Sequence, residues 1–188
     1  MPARIRNVTL LLLGASALLC AADTPGTWVD VPFVKQEKNG CGAASIAMVM
    51  QFWQRQQGAA PNADSDPARI QQALYSRQAR GIHATDLTRY LEQRGYTAFA
   101  FEGREEDLQQ HIEKGRPLIV ALKPGAGAPL HYVVVTGFDR QHNTLWLNDP
   151  AERKLLQREL PSFEKEWRGT GNWTLLAVPQ TGRASSAR

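Results

Sequence analysis

Cys41, His131 and Asp149 are the residues in this sequence whose types and settings could move an acyl group. Cys41 lies between Gly40 and Gly42 and opens the run Cys41-Gly-Ala-Ala-Ser-Ile-Ala-Met48. A thiol attacks as its thiolate, and a helix N-terminus favours negative charge there. Flanking glycines let a substrate backbone approach the sulfur closely. Gln36 lies five residues upstream, near enough for its side-chain amide to join the Cys41 N–H in holding an oxyanion. His131 opens the run His131-Tyr-Val-Val-Val-Thr-Gly-Phe-Asp139, where an imidazole at a strand entrance could face a cleft. Unperturbed histidine titrates near neutral pH and suits a general base without further tuning. Asp149 ends the next apolar run, in Asn148-Asp-Pro150. If the two strands are antiparallel neighbours, one starts where the other stops. The carboxylate then meets the imidazole and can orient it.

Each residue has a plainer reading: a buried helix thiol, a surface glutamine, a strand-end histidine, a turn aspartate before proline. Their conjunction is what points to nucleophilic catalysis. His83, His111 and His142 read as surface or packing residues.

The thiol gains weight from the N-terminus. Arg4 and Arg6 precede an apolar run from Val8 to Leu19, followed by Cys20-Ala-Ala22. This is the pattern of a secretory signal peptide over residues 1–22, cut after Ala21 or Ala22. The run is too short to span a bilayer, which takes about 20 apolar residues, and no later stretch resembles a transmembrane segment. The mature chain is expected to be exported, to the periplasm or beyond. A lipid anchor on Cys20 is the minor alternative, because Leu19 stands where a small residue is expected. Cleavage removes Cys20 and leaves Cys41 as the only thiol, with no disulfide partner. One thiol and four dispersed histidines make no zinc cluster, so neither metal nor other cofactor is expected.

The 188 residues, 43% hydrophobic and 21% charged, suit one compact domain. Without Arg4 and Arg6, 20 basic residues face 18 acidic ones. That balance is too weak to argue for a nucleic-acid partner, and the basic residues are scattered along the sequence.

Apolar periodicity predicts a helix from Cys41 to Trp53, a second opened by Asp66-Pro67, and a third capped by Thr85 that stops at Gly95. A strand over Tyr96 to Phe101 and a helix over Glu105 to Glu113 follow. Runs rich in Val, Leu, Trp and Tyr predict strands at 117–122, 131–138, 144–148 and 173–178, with a short helix at 162–167 between the last two. Lys123 to Pro129 is a Gly- and Pro-rich loop directly before the histidine strand. Helices first and strands later predict an α+β fold, with N-terminal helices packed on a mostly antiparallel sheet.

The stretch Val31-Pro-Phe-Val-Lys-Gln36-x4-Cys41-Gly-Ala-Ala-Ser-Ile-Ala-Met48 resembles the opening motif of the C39-like peptidases, relatives of bacteriocin-leader processing enzymes. The resemblance continues through His131 to Asp139, Asn148-Asp-Pro150 and Phe163-x3-Trp167-Arg-Gly169. It implies a papain-like cysteine peptidase fold and a peptidase domain over residues 23–178, while the polar, small residues at the C-terminal end read as a flexible tail over 179–188. It also implies Cys41 as nucleophile, His131 as base, Asp149 as orienting carboxylate and Gln36 in the oxyanion hole. The implied partner is a peptide or protein substrate, cleaved through a thioester. Two alternatives stay open: a transpeptidase or amidase in which an amine takes the acyl group, and a module that binds peptide without cutting. No phosphate-binding Gly-rich loop with Lys accompanies the motifs. The resemblance therefore carries the acyl-transfer chemistry and no particular substrate.

Overall fold

The computed structural model describes residues 26–180; the expected signal peptide (1–22) and tail residues 181–188 lie outside the described residues. In chain order the elements are β1 (Thr27–Trp28), α1 (Cys41–Gln56), α2 (Pro67–Leu74), α3 (Ala84–Gln93), β2 (Tyr96–Glu102), α4 (Glu105–Glu113), β3 (Leu118–Leu122), β4 (His131–Asp139), β5 (Thr144–Asn148), β6 (Leu156–Glu159), α5 (Leu160–Arg168) and β7 (Trp173–Pro179). The sheet runs in the order β2-β7-β3-β4-β5-β6, with β1 beside β4, and every registered pair is antiparallel. The α+β expectation holds.

α1 is the central helix. Its residues from Gly42 to Met50 are all buried, so apolar and small side chains occur on every face of its first half. α2 starts as its sequence predicts: the Asp66 carboxylate accepts from the Arg69 N–H at 2.9 Å, and Pro67 fills the first turn. α3 departs from expectation. Its N-cap is His83, without a side-chain cap bond, and Thr85 lies inside the helix. Burial of Leu87, Tyr90 and Leu91 sets the start of α3 instead.

β3 explains how the two halves of the core form. Ile119 and Ala121 face one cluster with α1, while Leu118, Val120 and Leu122 face a second cluster with α4 and α5. Side chains alternate across a strand, so a strand apolar at every position is covered on both faces. The C-terminal helix α5 supplies the second cover through Phe163 and Trp167, whose rings lie 5.3 Å apart. Trp167 is buried, and its indole N–H donates to the Trp173 carbonyl at 3.2 Å. A Cβ on Gly103 would fall 2.7 Å from the Trp167 ring, which shows how tightly this layer is filled. Trp167→Ala is expected to lower unfolding stability by about 3–5 kcal/mol. Urea unfolding would read this as a lower midpoint at unchanged slope.

At the C-terminal end, Pro179 still pairs with Tyr96. The Gln180 N–H donates to the Gly95 carbonyl at 2.9 Å. The sheet thus runs one residue past the boundary expected at 178.

Candidate active site

Four segments converge where α1 begins. The turn before it places Asn39 in the left-handed region (φ 57°), and the Gly40 N–H closes the turn on the Glu37 carbonyl at 2.9 Å. Asn-Gly chemistry suits that geometry, and the turn delivers Cys41 as the first helical residue, half-buried with a free thiol. The Gln36 N–H donates to the Pro150 carbonyl at 2.9 Å, which ties this segment to the turn after β5.

α1 lies close against β4. A Cβ on Gly42 would sit 3.3 Å from Ile82 and Leu87 and 3.4 Å from the Tyr132 ring. The missing side chain thus permits a close approach of helix to strand. The Ser45 hydroxyl donates to the Tyr132 carbonyl at 3.2 Å, and the Tyr132 hydroxyl donates to the Ile82 carbonyl at 3.3 Å. Burial, and then the neighbouring Cys41, pushes the Tyr132 hydroxyl above its ordinary range, so it remains a donor. These bonds fix the residue next to His131 against the start of α1.

His131 is the first residue of β4, paired with Leu122. Its Nε2 donates to the Asp149 Oδ1 at 2.8 Å, with the ring 21% exposed and the carboxylate 6%. Nε2 is engaged there, and Cys41 stands close enough to the ring to act on its charge. Burial works against a charge on this imidazole. The Asp149 and Cys41 hydrogen bonds and charges outweigh it and push the pKa up to about 10. The expectation of an untuned histidine is therefore corrected: its two partners make it hold a proton well above neutral pH.

The Asp149 carboxyl is held from several sides. Its Oδ1 also accepts from the Ala151 N–H at 2.9 Å. Burial alone would raise its pKa, but the His131 bond and charge, with backbone N–H groups of Ala151 and Glu152, hold it below the usual range. The register expectation is met: β5 pairs with β4 so that Val134 faces Asn148, and the next residue turns its carboxylate towards the ring.

Asn148 is a positioning residue that the sequence reading left without a role. Fully buried, it donates to the Val31 carbonyl at 3.1 Å and accepts from the Leu155 N–H at 3.0 Å. It thereby clamps the segment leading to Gln36 against the end of β5. A polar residue closing an apolar strand was the available signal, since a buried amide must find partners. Gln36 itself stands beside the start of α1, lining a cavity of about 80 Å³ with Gly40, Ala43 and Gln71. Its Oε1 is buried and has no protein partner among the described residues. Two other histidines stay away from the site: His142 bonds Asp139 at 2.8 Å at the far end of β4, and His111 packs near Phe101.

Residues 28–175 match the Peptidase_C39 like family (Peptidase_C39_2). The chain belongs to this family. Solved structures with the same fold include a Bacillus anthracis protein described as a C39-like peptidase. It is 15% identical, with TM-score 0.64, and the match covers 83% of this chain and 98% of that one. The peptidase domain of Streptococcus ComA, a bifunctional ABC transporter, is 22% identical with TM-score 0.60, covering 79% of this chain and 98% of that one. A double glycine motif protease from an AMS/PCAT transporter, solved with its leader peptide, is 22% identical with TM-score 0.61. That match covers 82% of this chain and 95% of the other. No curated protein matches the chain. At these identities the structures establish the fold, and the C39-like family adds that the domain is a peptidase. Among the described residues, no helix is long and apolar enough to cross a membrane.

Proposed function

We propose that this C39-like domain is a cysteine peptidase that hydrolyses peptide bonds through a Cys41 thioester. The observation that supports the reading most is His131 bonded to Asp149 with Cys41 beside the ring. The imidazole, steadied by the Asp149 carboxylate, takes the proton from the thiol. The thiolate then attacks the peptide carbonyl carbon, and its electrons move onto oxygen. The Gln36 side-chain amide and the Cys41 N–H hold that oxyanion. The C–N bond breaks as His131 gives its proton to the leaving amine. Neutral His131 then takes a proton from water, hydroxide adds to the thioester, and the C–S bond breaks. A carboxylic acid leaves, and the thiolate–imidazolium pair is restored. Asp149 stays ionised throughout and steadies the imidazolium. The signal-peptide pattern of residues 1–22 supports reading this activity as that of an exported protein.

Gln36→Ala tests the assignment. Loss of one oxyanion donor is expected to slow peptide turnover by about a hundredfold or more. Alkylation of Cys41 by iodoacetamide forms no oxyanion and should proceed at the wild-type rate. Turnover as fast as wild type, or alkylation slowed to the same extent, counts against Gln36 in that role.

A further inference from the structure

We infer that the cleft selects peptides rich in acidic side chains, because the fold gathers unpaired cations around the Cys41–His131 pair. This rests on the peptidase reading for its setting, and its test is made separable from it.

The segments bordering the Cys41–His131 pair, in contact or along the chain, form its rim: the turn at 35–40, a hairpin at 75–83, the loop at 123–130 that leads into His131, and the turn after Asp149. The hairpin is rooted at the site on both sides. Ser76 and Gly81 bond each other's backbones, at 2.8 Å and 3.3 Å. At one root the Tyr75 hydroxyl accepts from the Asn39 side chain at 3.4 Å, two residues before Cys41. At the other, Ile82 lies against Gly42 and accepts from Tyr132. The short tip between these roots carries Arg77 and Arg80, both exposed. Lys35 and Lys38 stand on the turn before Cys41, Lys123 directly follows the residue paired with His131, and Arg153 lies on the turn after Asp149.

None of these six cations makes a side-chain hydrogen bond or ion pair among the described residues. The acids on the same segments, apart from Asp149 on His131, are Glu37 and Glu152. Over the described chain, basic and acidic side chains are nearly equal in number. An excess of cations at the rim therefore leaves the remaining surface net acidic. A cleft bordered by one sign of charge focuses the field and concentrates oppositely charged ligands. In the sequence these residues are dispersed over more than a hundred positions, and only the fold assembles them.

The test uses matched fluorescein-labelled peptides that share their apolar residues and carry Asp/Glu, Asn/Gln or Lys at the polar positions. Binding to the full domain bearing Cys41→Ala is read by anisotropy, so cleavage is not needed. The acidic set is expected to bind about tenfold tighter than the neutral set at low salt, with the advantage shrinking at high salt. Arg77→Gln with Arg80→Gln should reduce that advantage severalfold. Arg140→Gln, at the opposite end of β4, should leave it unchanged. Equal binding of acidic and neutral sets overturns the inference, as does an advantage that Arg140→Gln lowers as much as the hairpin variants do. An acidic preference in binding, with no cleavage by the wild type, would overturn the peptidase reading while supporting this one.

Discussion

Replacing Cys41 with alanine is expected to reduce peptide hydrolysis by about a millionfold, the scale on which removal of a catalytic nucleophile acts. Without the sulfur no thioester forms, and neither His131 nor the oxyanion donors can supply an acyl acceptor. The fold should persist. Cys41 is only half-buried at the first turn of α1, where alanine is a better helix former than cysteine. Nor does the thiol close a disulfide in the described chain. The measurement is cleavage of a peptide library, followed by mass spectrometry, with thermal unfolding of wild type and variant alongside. New termini appearing at a rate within tenfold of wild type would mean that another group attacks, and the thioester route would be abandoned. Loss of cleavage together with loss of folding would be uninformative for alanine alone. Cys41→Ser, which nearly preserves side-chain volume, then supplies the comparison.

The sequence disclosed most of the scaffold because its signals were local and redundant. α1 and the strands β3, β4, β5 and β7 each show an apolar run of fitting length between turn residues, and α4 sets Leu108 and Ile112 one turn apart in a polar helix. Two elements were missed for identifiable reasons. β1 is two residues long, and β6 (Leu-Gln-Arg-Glu) is a polar edge strand with only Leu156 buried, so neither offers alternation to detect. The start of α3 was misplaced because Thr85 is a good cap by type, whereas burial of Leu87, Tyr90 and Leu91 decided the boundary. At the candidate site, residue type and chain order single out Cys41, His131, Asp149 and Gln36, and the fold brings the His131 ring onto Asp149 beside Cys41. What was not legible was environment. The imidazole looked untuned, because the Asp149 and Cys41 bonds that raise it exist only once β4, β5 and α1 meet. Ser45 and Asn148 carry no chemistry of their own and show their positioning roles only through their partners. The scattered cations are the same case: spacing along the chain concealed their nearness in the fold.

Asp149→Ala should lower kcat by about ten-thousandfold, as loss of the orienting carboxylate does where a histidine depends on it. Asp149→Asn separates orientation from charge. The Ala151 N–H at 2.9 Å holds an oxygen at the Oδ1 position. The asparagine carbonyl can occupy that position and still accept from His131 Nε2. The ring then keeps its place but loses a negative neighbour, so Asp149→Asn should retain more activity than Asp149→Ala. It should also move the pH profile. In the wild type, burial pulls the His131 pKa down while the Asp149 and Cys41 bonds and charges carry it up to about 10. Removing the Asp149 charge strengthens the hand of burial, and the alkaline limb of kcat/KM, where the proton for the leaving amine is lost, should shift to lower pH. Stability follows the same sign. The folded pKa lies above the ordinary histidine value of 6.5, so the contribution of His131 is fully present below about pH 6.5 and is lost as pH rises through about 10. Asp149 acts oppositely: its lowered pKa makes its contribution present above 3.8 and lost on further acidification. Melting temperatures measured from pH 6 to 10 should therefore fall less steeply in Asp149→Asn than in the wild type. An alkaline limb at the same pH in both proteins, with parallel melting profiles, would show that Asp149 does not govern the His131 proton.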